Sequence, residues 1–292
     1  MYISAADGTR LYVEEAGQGT PILFIHEFAG SYAAWEPQMR FFSRRHRCVA
    51  YSARGYPPSD IPADPDRYGQ AIAVDDARAV LDALAIDRAH VVGLSMGGYA
   101  TVHFGITHPG RARSLTIAGA GYGSELSEQA AFRAGAQETA DAFERLGARA
   151  YAHVYGAGPG RLTFRAKDPR GWRDFIARLA CHSDVGAANT MRRVQGERPS
   201  LFELEGALRR VDLPALIMCG DEDLPCLVPS LFLKRTMPRA GLAILPQTGH
   251  TLNLEEPAAF NALLAEFIAQ AEAGRWPAPD TGADTAPDTT HA

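Results

Sequence analysis

A serine, an acid and a histidine stand out as residues whose neighbours would let them do chemistry together. Ser95 lies in Val91-Val92-Gly93-Leu94-Ser95-Met96-Gly97-Gly98, an apolar run, a serine between two glycines, and then small residues. A serine hydroxyl is a poor nucleophile at neutral pH. It needs a base within hydrogen-bond reach, and the base needs an orienting acid. The best base is His250, in Gln247-Thr248-Gly249-His250-Thr251-Leu252-Asn253, which follows an apolar run and precedes a long amphipathic segment. The acid is expected within Gly220-Asp221-Glu222-Asp223-Leu224-Pro225, with Asp223 favoured over Asp221. The stretch after Ser114–Ala118 offers no acid before Glu125. The chemistry of such a set is acyl transfer to water. No cofactor is expected. No H-E-x-x-H metal signature is present, there is no Walker-type phosphate loop, and Gly119-x-Gly121-x-Gly123 lacks the spacing of a dinucleotide fingerprint.

Positioning these residues requires strands that end where they begin. Ile22–Ile25 and Val91-Val92 are continuous apolar runs, the pattern of strands covered on both faces. Cys48–Tyr51, Ser114–Ala118, Ala215–Gly220 and Leu242–Leu245 read the same way, and residues 1–16 read as a hairpin turning at Asp7-Gly8. Between the strands lie helical repeats. Ala73, Ala77, Val80, Leu81 and Leu84 share one face, and so do Phe260, Leu263, Leu264, Phe267 and Ile268 in a helix starting at Pro257. A further helix is expected near 229–237. Alternating strands and helices predict an α/β fold, a mostly parallel central sheet with helices on both faces. Sites in such sheets lie beyond the C-terminal strand ends, where His26, Ser95, the acids after Gly220 and His250 all fall. The alternation stops from about 124 to 208, where the chain reads as helical. The expected organisation is a core of residues 1–123 and 209–274, an inserted helical cap at 124–208, and a disordered tail at 275–292 rich in Pro, Asp, Thr and Ala.

Composition narrows the function class. The chain has 292 residues, 46% hydrophobic and 22% charged, with a formal net charge of −5. There is no basic stripe interleaved with aromatics, so no nucleic-acid partner is expected. The cluster Arg44-Arg45-His46-Arg47 reads as a solvated helix end. No apolar run is long enough for a membrane span and no secretory signal is visible, so a cytoplasmic protein is expected. The 4 cysteines, Cys48, Cys181, Cys219 and Cys226, form no C-x-x-C pair and read as reduced thiols. The sequence carries no signal of oligomeric state.

Taken together, four features resemble the α/β-hydrolase superfamily, of the serine-nucleophile type with a helical lid, across roughly residues 2–272. They are the Gly93-x-Ser95-x-Gly97-Gly98 elbow, the strand ending in His26, the Gly220-x-x-Asp223 turn, and Gly249-His250 followed by Glu255-Glu256-Pro257 and a helix. The resemblance implies a Ser95-His250-Asp223 triad and an oxyanion hole made by the backbone N–H groups of Met96 and Phe28. Serine at the elbow argues against relatives that use aspartate there, the haloalkane dehalogenases and epoxide hydrolases. Two departures from the family pattern are visible. His26-Glu27 stands where His-Gly is usual, and the expectation is a carboxylate facing solvent. The alternative is a carboxylate at the pocket mouth that disfavours anionic substrates. Ser52-Ala53-Arg54-Gly55-Tyr56-Pro57-Pro58-Ser59 replaces Asp-x-Arg-Gly-x-Gly-x-Ser and is expected to change packing only.

The expected substrate is a small or medium carboxylic ester or lactone. Alternatives with the same triad are carbon–carbon bond hydrolysis, perhydrolysis, or slow-turnover ligand sensing. Candidate pocket residues are His26, Glu27, Phe28, Met96, Tyr122, Trp172, Leu224 and Leu252, an apolar and aromatic set. His103 and His182 are further candidates. The cap arginines Arg161, Arg165, Arg192 and Arg193 are expected on exposed helix faces, with binding of a substrate carboxylate as the alternative.

Overall fold

The computed structural model describes residues 1–276. Eight strands form one sheet: β1 (Tyr2–Ser4), β2 (Arg10–Ala16), β3 (Pro21–Ile25), β4 (Arg47–Tyr51), β5 (Ala89–Leu94), β6 (Ala112–Ala118), β7 (Ala215–Gly220) and β8 (Ala240–Leu245). The order across the sheet is β1-β2-β4-β3-β5-β6-β7-β8. β1 pairs antiparallel with β2, and β2 antiparallel with β4; every other pairing is parallel. This is the α/β architecture that the alternation predicts.

The core follows from the two-residue period of a strand. On one face Leu23, Ile25, Val49, Val91, Leu115 and Ile217 pack against Val80, Phe104 and Leu233. On the other, Ile22, Phe24, Ala50, Val92, Leu216 and Met218 pack against Trp35, Met39, Phe260 and Phe267. The covering helices are α1 (Glu36–Phe42), α2 (Gln70–Ala83), α3 (Met96–Thr107), and two later ones taken up below. Both faces of the central strands are dry, which is why those strands read as unbroken apolar runs.

Helices α4 (Gln129–Leu146), α5 (Ala148–Gly156), α6 (Leu162–Lys167), α7 (Pro169–Leu179), α8 (Asp184–Asn189) and α9 (Glu205–Leu208) fall between β6 and β7. Their apolar residues Phe143, Phe164, Phe175, Ile176 and Leu179 form a third cluster with Phe28, Tyr56 and Met96, residues that follow the strands β3, β4 and β5. The inserted helices therefore sit over the C-terminal strand ends. A π-helical segment, Thr190–Gln195, continues α8.

Two boundaries differ from the sequence reading. The helix expected near 229–237 is α10, Leu224–Thr236. Pro229 suggests a helix start, but Pro225 already sits in the first turn, where proline is well tolerated. Pro229 instead lies inside the helix, against Gly121, whose missing Cβ leaves it room. After α11 (Leu252–Glu255) and α12 (Pro257–Glu272), Arg275 and Trp276 continue along the body, where the composition predicts a tail from 275. Trp276 packs on Phe267 with ring centroids 4.7 Å apart, and its indole Nε1–H donates to the Arg239 carbonyl at 2.8 Å. Residues 277–292, the rest of that tail, lie outside the described residues. Among the described residues, no helix is long and apolar enough to cross a membrane.

Candidate active site

Ser95 sits at the junction of β5 and α3 with φ 56° and ψ −111°. That backbone conformation is sparsely populated for a residue with a side chain and must be held by its surroundings. Its N–H donates to the Ala118 carbonyl at 2.8 Å, and its carbonyl accepts the Tyr99 N–H at 2.9 Å. The flanking glycines make the turn possible. A Cβ on Gly93 would lie 2.0 Å from the Gly97 carbonyl oxygen, and one on Gly97 would lie 2.0 Å from that of Ile25.

Ser95 Oγ lies 2.8 Å from His250 Nε2, and His250 Nδ1 lies 2.7 Å from Asp223 Oδ2. Residues 155 positions apart are thus brought within one hydrogen bond. The carboxylate can only accept, so Nδ1 carries the proton and Nε2 is left to accept from the serine hydroxyl. Burial pushes the Asp223 carboxyl up, but the adjacent His250 imidazole and the Cys226 thiol pull it down. The net shift is below the ordinary carboxylate value. Asp221 is elsewhere: its Oδ1 accepts the Thr248 N–H at 3.1 Å.

The histidine turn is fixed from two sides. Glu255, at the end of α11, accepts the Gly249 N–H at 2.8 Å and the Thr251 N–H at 2.9 Å. The His250 N–H itself donates to the Gly160 carbonyl, 3.1 Å away in the inserted segment. Asp223, Cys226 and His250 bring their donor atoms within 4.8 Å of one another, a metal-like grouping. Two of the three are already engaged in the short Asp223–His250 hydrogen bond, and the Cys226 thiol is held protonated by burial with Sγ 3.4 Å from the Gly119 carbonyl. This donor set does not call for a cation.

Neither the Met96 nor the Phe28 backbone N–H has a hydrogen-bond acceptor among the described residues. His26 holds the second of these loops from behind. Its Nε2 accepts the Ala53 N–H at 3.0 Å, so Nδ1 is the protonated nitrogen and donates to the Glu27 carbonyl at 2.6 Å. Burial lowers the His26 pKa to about 4, which keeps the ring neutral.

Glu27 is the main correction. It faces neither solvent nor pocket mouth but is 1% exposed and ion-paired with both terminal nitrogens of Arg161. Arg161 also donates to Thr251 Oγ1, beside His250, and lies over the Phe175 ring at 5.1 Å. One guanidinium therefore ties the loop after β3 to the histidine turn. In the departure at Ser52–Ser59, Tyr56 packs its ring edge-on against His26 and Phe28, with centroids 4.7 and 6.4 Å away, and the residues that keep the family pattern are held in place. Arg54 is buried between Asp76 at 2.7 Å and Asp7 at 2.9 Å, and Ser59 Oγ donates to the Ser52 carbonyl at 2.6 Å.

A cavity of about 310 Å³ opens beside Ser95, lined by Ser95, His250, Tyr122, Phe132, Gly135, Ala136, Glu138, Thr139, Tyr155, Met191, Gln195 and Arg198. Of the pocket residues read from sequence, only Tyr122 lies on it. Leu252 is fully buried in the core, Leu224 is 66% exposed, and Trp172 donates its indole N–H to the Gly156 carbonyl. His26, Glu27, Phe28 and Met96 lie close by but form no part of the lining. His182 packs edge-on against Tyr56. His103 does not reach the cavity either. Among the other arginines of the inserted segment, Arg192 pairs with Glu144 and Asp141, Arg193 with Asp66 and Glu197, and Arg165 lies over Trp172. The lining residues from α4 and from Thr190–Gln195 carry no motif that could have announced them.

Comparison with known proteins agrees with this architecture. The family model described as the alpha/beta hydrolase fold matches residues 20–257. The chain is 30% identical over 277 residues to a 2-hydroxymuconate semialdehyde hydrolase of Pseudomonas sp. (strain CF600), covering 92% of this chain and 93% of that relative. Among solved structures it is similar to a thermophilic esterase from Thermogutta terrifontis, with TM-score 0.82 and 21% identity over 93% of this chain and 98% of that one. It is also similar to the enol-lactonase from Burkholderia xenovorans LB400, with TM-score 0.80 and 21% identity over 92% and 100%. With a strained serine elbow between β5 and α3, a mostly parallel eight-stranded sheet, and a family match spanning most of its length, this chain belongs to the alpha/beta hydrolase fold family.

Proposed function

We propose that the protein is a serine hydrolase that cleaves a carboxylic ester or lactone through an acyl-enzyme. The observation that carries this reading is the hydrogen-bonded line from Ser95 Oγ through His250 to Asp223, at 2.8 and 2.7 Å. In this reading Ser95 Oγ attacks the carbonyl carbon while His250 Nε2 takes its proton. The tetrahedral oxyanion is held by the Met96 and Phe28 N–H groups, each such donor contributing about 3 kcal/mol. His250 then protonates the departing alkoxide. The same nitrogen takes a proton from the water that hydrolyses the acyl-enzyme. Asp223 fixes the imidazole tautomer and stabilises its cation. The inserted segment, 124–208, acts as a cap that supplies most of the substrate wall.

A second reading, carbon–carbon bond hydrolysis with the same residues, is favoured by the 30% identical 2-hydroxymuconate semialdehyde hydrolase and by the similarity to a solved meta-cleavage product hydrolase. The test is hydrolysis of p-nitrophenyl acetate and butyrate by wild type and Ser95→Ala, with folding verified by circular dichroism. Turnover by wild type and a loss of about a thousandfold or more in Ser95→Ala is expected. A single burst, or no hydrolysis of any ester or lactone, overturns the ester reading; activity confined to a vinylogous diketone moves the assignment to carbon–carbon cleavage.

A further inference from the structure

Three arginines are buried among the described residues: Arg54, Arg161 and Arg198. The first two face carboxylates, Asp76 and Asp7 for Arg54 and Glu27 for Arg161. Arg198 has none among the described residues, although it is only 7% exposed. Its Nη2 donates to the Tyr122 carbonyl at 2.6 Å and its Nη1 to Gln195 Oε1, so these bonds use two of the five N–H donors of a guanidinium. Its flat faces are covered by Tyr99, at 3.7 Å from the ring centroid, and by Phe132 at 4.9 Å. Burial, with no carboxylate to offset it, pulls the Arg198 pKa down. The near neighbour His103 is no counter-charge: burial lowers its pKa to about 4, and it is neutral.

A buried cation without a counter-ion is costly, and proteins rarely keep one without a partner. Arg198 lies on the wall of the cavity that holds Ser95 and His250. The one acid on that cavity, Glu138, is exposed and forms no ion pair with it. A substrate that reached the nucleophile while carrying a carboxylate would supply the missing charge, and a guanidinium fork suits a carboxylate's two oxygens. We propose that Arg198 is the anion-binding subsite of the Ser95 cavity, and that the substrate carries a carboxylate a few carbons from the bond that is cleaved. The chemistry of cleavage rests on the hydrolase reading above; the anion subsite does not.

The test uses the full chain and two readouts. The first is kcat/KM for the monomethyl esters of succinate, glutarate and adipate, each against its neutral isostere in which the carboxylate is a methyl ketone. Wild type is expected to prefer the best monoanion by about tenfold or more, the contribution of one hydrogen bond to a charged group. Arg198→Met is expected to bring that ratio to about one, while Arg198→Lys keeps part of it. A purely structural role for Arg198 would lower both rates together and leave the ratio alone. The second readout is calorimetric binding of glutarate to Ser95→Ala, which needs no turnover. Binding is expected there, and lost in Ser95→Ala/Arg198→Met.

A wild-type ratio of one or less, or a ratio unchanged in a cooperatively folding Arg198→Met, overturns the proposal. If Arg198→Met does not fold, the wild-type ratio and the Lys variant decide. If no ester is cleaved at all, the ester reading falls, and glutarate binding alone decides the subsite. Inorganic phosphate binding as tightly as glutarate would overturn the assignment to a carboxylate.

Discussion

Glu27→Gln is the most informative single perturbation, because it removes one charge from the buried pair and changes almost nothing else in shape. The side chains of Arg161 and Glu27 are 6% and 2% exposed, so neither is screened by water. Removing one partner of a buried pair and leaving the other charged costs about 3–5 kcal/mol. Arg161 retains the Thr251 hydroxyl and the rings of Phe175 at 5.1 Å and Tyr155 at 5.9 Å. Cation–π contacts of this kind are worth about 0.5–2 kcal/mol, which places the expected loss near the lower end, about 3 kcal/mol. Arg161→Met alone strands the carboxylate and should cost a similar amount. The double variant Glu27→Gln/Arg161→Met leaves no unpaired charge and should cost clearly less than the sum, with a coupling of about 2 kcal/mol. Urea unfolding followed by tryptophan fluorescence measures all four corners of the cycle. A Glu27→Gln loss below about 1 kcal/mol, or a strictly additive double variant, would refute the claim that this pair anchors the loop before Phe28.

Three further outcomes are expected. Asp223→Asn should lower ester kcat by about 10⁴-fold with little change in melting temperature, because an amide allows the wrong imidazole tautomer, whereas Asp221→Asn should stay within about threefold of wild type; equal losses would reassign the acid. Gly97→Ala should prevent soluble expression, since its Cβ would meet the Ile25 carbonyl at 2.0 Å, whereas Gly110→Ala, with nothing within 4 Å, should be neutral. Stability should fall on acidification. The folded His26 pKa, about 4, lies below the ordinary 6.5, so the unfolded chain binds the proton more readily. The contribution is complete above about pH 6.5 and is lost as pH drops toward 4, amounting to about 2 kcal/mol for this residue by about pH 5. Denaturation midpoints that are flat between about pH 7.5 and pH 5 would contradict it.

The fold class was legible because buried parallel strands leave a signal that is local: unbroken apolar runs such as Ile22–Ile25 and Ala215–Gly220, each followed by a polar turn. Ser95, Asp223 and His250 could be singled out for the same reason, each lying just beyond such a run. What local patterns do not carry is pairing at long range. Glu27 and Arg161 are 134 residues apart, and nothing near Glu27 says that a cap arginine will reach it. Arg198 carries no local signal, since one arginine in an arginine-rich segment has no distinguishing period. Its meaning comes only from the absence of a carboxylate beside it among the described residues of the folded chain. The start of α10 is ambiguous in the sequence because Pro225 and Pro229 lie four residues apart and either alone reads as a first-turn residue.

The contacts around Gly160 and Arg161 bear on how the inserted segment can be exchanged. The Gly160 carbonyl holds the His250 N–H, and the next residue neutralises Glu27. A chimera that took residues 124–208 from a family member without an arginine at position 161 would leave the Glu27 carboxylate unpaired in its dry pocket. Such a graft should fail in refolding before its specificity can be read, unless position 27 is changed to the donor's residue at the same time. Positions 27 and 161, split across the chain, have to be exchanged together.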